Sequence, residues 1–479
     1  MCSISNMIQK KDFKQIGKYL YEIPKNFRDD MKAPARFYSS PAFLEKLLGE
    51  RALEQLVNTA TLDGVYKYAL AMPDIHEGYG FPIGGVVALD KTKGLISPGG
   101  VGYDINCGVR LLKTGLFLEE FNSKKRELME EVFKAVPAGL AGKGAARISL
   151  EELDKFLEWG AEYAVEKGFG TAKDLENIEE NGRLKTADAG KVSDRAKKRG
   201  KDQLGTLGSG NHFLEIQRVA GIFDKKVADR LNIQPDEVFV MIHTGSRGLG
   251  HQVATDYIEI MRAAMKKYNI KIADPELVSA PLNSKEGQDY FKAMSAAANF
   301  AWVNRQVITE MARRAFNRVF GIPKEQVVLI YDVAHNMAKI EGNLIVHRKG
   351  ATRAFGPGNP NIPLIYRDIG QPAILPGSMG TASYLMLGTK KAEEETFGST
   401  AHGAGRVLSR HKAKRMVKGE ELRKELEKEG IAIFSTSNVG LAEEAPIAYK
   451  NIEEVANITA SAGIAKKVIQ LRPIGVVKG

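Results

Sequence analysis

The sequence is poor in cysteine and contains no long hydrophobic run. Only two of its 479 residues are cysteine, so we expect no disulfide framework and a reducing compartment. No apolar segment reaches the length of about eighteen residues that a membrane-spanning helix needs. Charged residues interrupt the N-terminal region, which therefore lacks the apolar stretch of a signal peptide. These absences predict a cytoplasmic protein without a membrane partner.

The common nucleotide-binding motifs are also missing. The sequence has neither the Gly-x4-Gly-Lys-Ser/Thr phosphate loop nor the Lys-x-Asp-Gly motif of nucleotidyl transfer, and its Asp-Gly pair is Asp63-Gly64. Any nucleotide chemistry must therefore use a nucleophile other than the lysine of that motif.

No linker, low-complexity tract or internal repeat divides the chain. Its length alone would suggest about three domains, but the glycine-rich motifs are scattered from residue 64 to residue 405, as in a site assembled from distant loops. We predict a single domain covering residues 1–479, with residues 1–32 as an N-terminal cap. Strand and helix patterns mix without a regular βαβ rhythm, which predicts an α+β fold with mixed and antiparallel sheets surrounded by helices.

Positive charge is in excess. The formal net charge is +11 and the sequence pI is about 9.2. A positive field raises the local concentration of polyanions, so nucleic acid is the first candidate for a partner. The alternative is the ordinary solvation of a lysine-rich surface.

Residues 97–110 concentrate glycines around Asp104 and Cys107. Glycine lets the backbone approach another group closely, and the two side chains offer one hard and one soft metal ligand. A metal site is one interpretation of this segment. A glycine turn beside a buried structural thiol is the other, because free cysteine is often buried.

Histidines recur where predicted strands meet loops. A single histidine in such a place is more often a structural residue that satisfies loop carbonyls. The repetition, together with Asp104 and Cys107, favours a metal centre assembled from loops at strand ends. The candidates exceed the three or four ligands of one ion, which indicates two metals or one residue reserved for catalysis. These histidines are His76, His212, His243, His335 and His402.

Two helices can be predicted from local patterns. Ser40 followed by proline is typical of a helix start, and we expect that helix to run to about residue 57. The longest helical pattern covers residues 289–320, and we interpret it as a scaffold helix with a basic flank that includes Arg305 and Arg313.

Two glycine-containing segments are predicted to carry polar site residues on loops. Residues 65–72 alternate as in a strand, and the loop predicted after them carries Asp74 and His76. Near the C-terminus, His402 lies in a His-Gly-Ala-Gly-Arg segment where backbone amides can approach a phosphate and Arg406 can add a guanidinium.

Seven segments, in this order along the chain, closely resemble the RtcB family of tRNA-splicing RNA ligases, and the resemblance runs from about residue 33 to Lys478. They are Pro73–Gly85, Tyr103–Arg110, Gly208–Glu215, Ile242–Gly250, Val333–Asn336, Pro376–Gly380 and Ser399–Arg406. The resemblance implies a GTP- and Mn²⁺-dependent enzyme that joins an RNA 2′,3′-cyclic phosphate or 3′-phosphate to a 5′-hydroxyl, in tRNA splicing and RNA repair. Its RNA substrates would be tRNA halves, and members of the family often act with a small activating protein, archease.

The resemblance also implies a role for individual residues. Asp104, Cys107 and His212 resemble the ligands of one Mn²⁺, and Cys107, His243 and His335 those of a second. His402 resembles the histidine that carries the covalent guanylate. The residues that resemble the GTP and GMP pocket are Asn211, His212, Phe213, Leu214, Glu215, His335, Asn336, Pro376, Gly377, Ser378, Met379, Ser383, His402, Gly403, Ala404, Gly405 and Lys478.

The residues themselves leave alternatives open. Thiolate and imidazole ligands alone would favour zinc, and only the resemblance favours manganese. A metal-dependent cyclic phosphodiesterase or phosphatase acting on RNA ends would need the metals but no GTP. A non-catalytic RNA-binding protein would use the same histidines to hold a structural metal.

Overall fold

The structure is a computed structural model that describes residues 8–139, 144 and 148–479. Its strands are β1 (Lys14–Gln15), β2 (Leu20–Ile23), β3 (Ala35–Tyr38), β4 (Val65–His76), β5 (Ile83–Asp90), β6 (Leu95–Ile96), β7 (Gly108–Phe117), β8 (Phe213–Ile222), β9 (Glu237–Thr244), β10 (Ala280–Pro281), β11 (Val328–Ala334), β12 (Asn336–Glu341), β13 (Leu344–Lys349), β14 (Ala351–Arg353), β15 (Pro372–Leu375), β16 (Ser383–Gly388), β17 (Ser399–Ala401), β18 (Ala432–Ser435) and β19 (Ala465–Lys478).

The α-helices are α1 (Pro41–Leu47), α2 (Ala52–Thr59), α3 (Leu118–Ser123), α4 (Lys125–Ala135), α5 (Leu150–Glu166), α6 (Ala172–Leu175), α7 (Asp194–Lys201), α8 (Lys225–Arg230), α9 (Arg247–Lys267), α10 (Lys285–Phe320), α11 (Lys390–Thr396), α12 (Arg410–Met416), α13 (Gly419–Lys428), α14 (Asn438–Glu443) and α15 (Ile452–Ser461). Within the described ranges, no helix is both long and apolar enough to cross a membrane.

Two large sheets organise the molecule. One has seven strands in the order β1-β2-β3-β4-β5-β13-β12, and the other has eight in the order β11-β7-β9-β8-β19-β16-β15, with β18 also paired to β19. Neighbouring strands are antiparallel except for the β3–β4 and β18–β19 pairs. The predicted α+β class with mixed and antiparallel sheets surrounded by helices is therefore confirmed.

The described part of the predicted N-terminal cap is joined to a sheet. Residues 8–32 contribute β1 and β2, which extend the edge of the seven-stranded sheet through pairing with β3. Residues 1–7 lie outside the described residues. The boundaries of a single domain over residues 1–479 and of a cap ending at residue 32 stay predictions.

The helix predicted after Ser40 is two helices. The Ser40 hydroxyl accepts a hydrogen bond from the Phe43 amide and caps α1, as expected. The helix ends at Leu47, and the backbone turns through Gly49 before α2 begins at Ala52. Glycine is a poor helix former, and here it lies at the break between two short helices.

The longest helix, α10, packs against the eight-stranded sheet and against α4, α5 and α9. The Ser284 hydroxyl caps its first turn by accepting from the Gly287 amide, and Gly321, with φ of 71°, ends it. Its central residues are buried around Trp302 because apolar side chains occupy almost every face of that part of the helix.

The basic flank predicted for this helix is wrong at Arg305 and Arg313, since both side chains are buried. Arg305 donates two hydrogen bonds of 2.8 Å to the carboxylate of Asp332, which also accepts one of 2.7 Å from Arg110. Arg313 donates two of 2.7 Å to Asp174. Burying an arginine is tolerable when a carboxylate matches its charge and its donors. Local periodicity in the sequence does not reveal these partners, because they are distant along the chain.

We predict that replacing Asp332 by asparagine strongly destabilises the fold. Asp332, Arg110 and Arg305 are fully buried, so the change leaves two guanidinium groups without a compensating charge. The expected loss is about 3–5 kcal/mol in the free energy of unfolding, measured by urea denaturation.

The matched control is Glu420→Gln, which breaks the exposed ion pair of Glu420 and Lys424 and should leave the urea midpoint unchanged. An Asp332→Asn variant with the wild-type midpoint would contradict the role given to the buried pair.

Candidate active site

The predicted metal ligands meet at one edge of the eight-stranded sheet. Antiparallel pairing places the start of β7, the end of β9, the start of β8 and the end of β11 side by side. Cys107 directly precedes β7, His212 directly precedes β8, His243 lies near the end of β9, and His335 follows β11. Residues far apart in the sequence are neighbours here because alternate strands present opposite ends to this edge.

Five side chains form two sets of three metal donors that share Cys107. Asp104, Cys107 and His212 make one set, and Cys107, His243 and His335 make the other; within each set the donor atoms lie within 4.8 Å of one another. The Cys107 Sγ atom is 3.4 Å from His212 Nε2 and 3.3 Å from His243 Nε2. The His212 Nε2 to Asp104 Oδ2 distance is 2.9 Å, and the Nε2 atoms of His243 and His335 are 3.2 Å apart.

This donor set fits divalent transition ions. Nitrogen, sulfur and oxygen atoms that bear lone pairs converge at close range, an arrangement that a cation between them stabilises. Burial lowers the pKa of His243 and of His335 well below the usual value, so both rings are neutral, the form that binds metal.

The pKa values of Cys107 and Asp104 are shifted in opposite directions. Burial, and then the charge of Asp104, raises the pKa of the Cys107 thiol well above its usual value. For Asp104, burial raises the pKa, but the charge and hydrogen bond of His212 outweigh it, and the net pKa falls to about 2. A metal ion at the shared thiol would favour the thiolate, so binding releases a proton.

His402 lies beside the second donor set and is oriented by Asp74. The rings of His402 and His335 are edge to face, with centroids 5.0 Å apart. The His402 Nδ1 atom lies 2.6 Å from Asp74 Oδ2, and the same oxygen accepts from the backbone amides of His402 and Gly403. With Nδ1–H donating to this carboxylate, the neutral form of the ring is the tautomer whose Nε2 has a free lone pair.

Asp74 and His76 lie in a strand, so the predicted loop is wrong. Strand β4 continues through Pro73 to His76, which pairs with Ile83 of β5. The Asp74 side chain is fully buried. Burial raises its pKa, but His402 outweighs burial through its charge and hydrogen bonds, and the net pKa is lowered. The carboxylate is therefore ionised when it holds His402.

Gly405 allows the His402 segment to approach strand β4. Its φ is 74°, and a Cβ atom at this position would lie 2.2 Å from the Asp74 carbonyl oxygen. A side chain here would push the segment away from Asp74 and break the hydrogen bond to His402.

A cavity of about 540 Å³ opens over Cys107, His243, His335 and His402. Most residues of the predicted nucleotide pocket line it. These are Asn211, Phe213, His335, Asn336, Pro376, Gly377, Ser378, Met379, His402, Gly403, Ala404, Gly405 and Lys478. The size is suited to a nucleotide-sized ligand.

Four residues of the predicted pocket do not line this cavity. They are His212, Leu214, Glu215 and Ser383. His212 contacts Asp104 and Cys107, and Leu214 lies in the hydrophobic core because it points to the face of β8 opposite Phe213 and Glu215.

Glu215 is a buried carboxylate with a free oxygen. Its Oε2 atom accepts a 2.7 Å hydrogen bond from Gln217, whereas Oε1 is buried and has no partner among the described residues. Gln217 also donates to the Ser383 hydroxyl. Burial raises the pKa of Glu215 to about 7, and the nearby Lys478 ammonium, itself buried, partly offsets that effect.

Arg406, which the sequence predicts to add a guanidinium beside a phosphate, lines the cavity, and its guanidinium already has protein partners. It donates 2.9 Å and 3.0 Å hydrogen bonds to Glu444 and to the Tyr449 hydroxyl. Arg410, which also lines the cavity, donates to the same carboxylate. No local pattern in the sequence points to Glu444 or Tyr449, since both contact Arg406, which is distant in the chain.

We predict that Cys107→Ala loses metal from both donor sets, whereas His335→Ala loses only one ion. The reason is that Cys107 belongs to both sets and His335 to one. Metal analysis of Mn²⁺-loaded protein after gel filtration should therefore give almost no ion for the first variant and about half the wild-type content for the second.

His251→Ala is the matched control, because His251 belongs to neither set, and it should keep the wild-type content. Full metal content in Cys107→Ala would contradict a shared thiolate.

Comparison with known proteins gives one consistent result. A family model described as RtcB, tRNA-splicing ligase RtcB, matches residues 55–479. The chain is 54% identical to the tRNA-splicing ligase RtcB of Methanococcus maripaludis, over 98% of this chain and 100% of that relative. The proteins of the same name from Archaeoglobus fulgidus and Thermococcus kodakarensis are 51% and 52% identical, each over 97% of this chain and 98% of the relative.

The matched region includes every segment on which the sequence resemblance rests. The predicted family is therefore confirmed, and with it the prediction of an RNA ligase. The chain belongs to the RtcB family of tRNA-splicing ligases.

Proposed function

We propose that this chain joins RNA 2′,3′-cyclic phosphate or 3′-phosphate ends to 5′-hydroxyl ends, using GTP and two Mn²⁺ ions per chain, through guanylylated His402. Membership of the RtcB family supports an RNA substrate, and the relatives are named for tRNA splicing. The observation that carries the proposal is the hydrogen bond from His402 Nδ1 to Asp74, which leaves Nε2 free on a ring that lies against His335 of the second donor set.

His402 is suited to attack the α-phosphate of GTP. The Nε2 lone pair forms a bond to phosphorus while the bond to pyrophosphate breaks. Asp74 stabilises the positive charge that develops on the ring, because its carboxylate accepts the Nδ1 hydrogen. A lysine nucleophile would first have to lose a proton, whereas this tautomer can attack directly.

Two further transfers move the guanylate to the RNA and then join the RNA ends. An oxygen of the RNA 3′-phosphate attacks the guanylyl phosphorus, and the bond to His402 Nε2 breaks. The 5′-hydroxyl oxygen attacks the RNA 3′-phosphate phosphorus, GMP leaves with its own phosphate, and a phosphodiester bond joins the ends. A cyclic phosphate is first opened to a 3′-phosphate by water.

The two donor sets would hold the metal ions at the wall of this cavity. Asp104, Cys107 and His212 would bind one ion, and Cys107, His243 and His335 the other. Bound divalent ions neutralise charge on phosphate oxygens and hold them for attack. The preference for Mn²⁺ over zinc rests on the family resemblance and not on the donor types.

Glu215 supports recognition of guanine. Guanine presents two neighbouring donors, N1–H and the exocyclic amine, and a carboxylate can accept both. The partnerless Oε1 atom of Glu215 is the feature that supports this role. Adenine would place an acceptor against the carboxylate and leave buried polar groups unpaired.

The partners beyond the nucleotide also follow from the family. The net charge of +11 suits an RNA substrate such as tRNA halves. Activation by archease and a cytoplasmic location stay predictions.

The proposal is tested by ligation and by labelling. Purified protein should join RNA with a 3′-phosphate to RNA with a 5′-hydroxyl only when GTP and Mn²⁺ are present. Ligation without GTP would contradict the proposal, and hydrolysis of a 2′,3′-cyclic phosphate to a phosphomonoester without joining would favour an RNA-end phosphodiesterase instead.

We predict that α-labelled GTP labels the wild-type chain but not His402→Ala, because the variant lacks the nucleophile. The phosphoramidate formed should be labile in acid and stable in alkali. His402→Ala should still join RNA that already carries the 3′-guanylate, since that step follows the histidine adduct. His411→Ala, a change at an exposed histidine of α12, is the control and should label normally; labelling of His402→Ala would place the nucleophile elsewhere.

We predict that Glu215→Gln weakens GTP binding at least tenfold with unchanged metal content, because charge-assisted hydrogen bonds contribute about 1.5–3 kcal/mol. The pKa of Glu215 is raised to about 7, so the accepting carboxylate form prevails above that pH and is lost as pH falls through it. Wild-type affinity, measured by calorimetry with GMP, should therefore fall from pH 8 to pH 6, and the variant should be insensitive to pH in this range. Equal pH dependence in both proteins would assign guanine recognition to another group.

A further inference from the structure

The cavity contains a second imidazole that the proposed steps do not use. His76, the last residue of β4, lines the cavity and is partly exposed to it. Its ring is nearly parallel to that of His402, with an interplanar angle of 18° and centroids 6.5 Å apart. His76 belongs to neither of the two donor sets.

One residue fixes the tautomer of both rings. The backbone carbonyl of Asp74 lies 2.9 Å from His76 Nδ1, and the side chain of Asp74 holds His402 Nδ1. A carbonyl oxygen can only accept, so Nδ1 of His76 carries the hydrogen and its Nε2 has the lone pair. The described residues offer this Nε2 atom no hydrogen-bond partner, and it is not among the buried unpaired atoms, so it is open to the cavity.

The proposed reaction contains a step that needs such a group. The His402 imidazole and the RNA 3′-phosphate attack without losing a proton. The 5′-hydroxyl is neutral and must lose its proton as its oxygen bonds to phosphorus, and a positioned base accelerates this transfer.

The other groups at the cavity have different partners. Among the described residues that line it, His243 and His335 belong to a donor set, and the Glu444 carboxylate accepts from Arg406 and Arg410. Among these lining imidazoles, His76 is therefore the one that neither belongs to a donor set nor carries the guanylate.

We propose that His76 Nε2 takes the proton of the RNA 5′-hydroxyl in the joining step, an inference that rests on the proposed function. The hydroxyl oxygen forms a bond to the phosphorus of the guanylylated RNA 3′-phosphate, and the bond from that phosphorus to the GMP oxygen breaks. The proton passes from the hydroxyl to His76 Nε2 and then to solvent as GMP leaves.

The electrostatics of the ring keep it neutral, the form that can accept a proton. Burial lowers the pKa of His76 to about 3, with a smaller contribution from His402 and Lys450, so the ring is neutral before RNA binds. The phosphates of bound RNA add negative charge beside it, which raises the pKa and strengthens the base.

The test separates the steps in single-turnover assays of His76→Gln and His76→Ala. We expect labelling of the protein by GTP and guanylate transfer to RNA 3′-phosphate at rates close to wild type. Joining of RNA that already carries the 3′-guanylate should slow by about 10²–10⁴-fold, the usual contribution of a general base. Added imidazole should restore part of the joining rate in His76→Ala, because a free base can occupy the space of the lost ring.

His411→Gln is the matched control for the loss of a histidine and should join at the wild-type rate. Wild-type joining by His76→Gln, equal slowing of all three steps, or a defect in His76→Ala that imidazole does not relieve would each overturn the inference. Failure of the wild-type chain to be labelled by GTP would instead overturn the proposed function.

Discussion

The buried contact of Arg305 with Asp332 is the constraint on which the candidate metal site depends. Arg305, on α10, also donates to the backbone carbonyls of Asn106 and Thr244 and to the Asn106 side chain. Asn106 adopts a left-handed conformation with φ of 52°, directly before Cys107. The Arg305 guanidinium thus connects α10 to the backbone directly before Cys107 and to the end of β9. The free-energy cost of burying this cation is offset by Asp332 and by these carbonyls.

A second constraint comes from the other sheet. Asp74 lies on β4 of the seven-stranded sheet, whereas Cys107, His212 and His243 lie at the edge of the eight-stranded sheet. The cavity forms where these two edges meet. Because Asp74 holds His402 through a buried, ionised carboxylate, the proposed nucleophile is placed by one sheet beside donors placed by the other.

The sequence was informative where chemistry and local pattern coincide. Histidines at strand ends could be recognised because the strands are strongly patterned and the residue type is rare, and the structure brings the predicted donors together. The roles of Asp74 and Arg305 could not be predicted, since their partners are distant: Asp74 and His402 are separated by 328 positions. Side chains alternate between the two faces of β8, so the sequence of this strand does indicate that Leu214 lies on the face opposite Phe213 and Glu215, toward the core.

In the proposed mechanism, Asp74 holds His402 so that Nε2 receives the guanylate. The most direct measurement is NMR of the guanylylated protein with ¹⁵N-labelled histidine, which identifies the ring nitrogen bonded to phosphorus. We expect a phosphorus–Nε2 bond in His402 with hydrogen retained on Nδ1. A guanylate on Nδ1 of His402, or on any other residue, would contradict it.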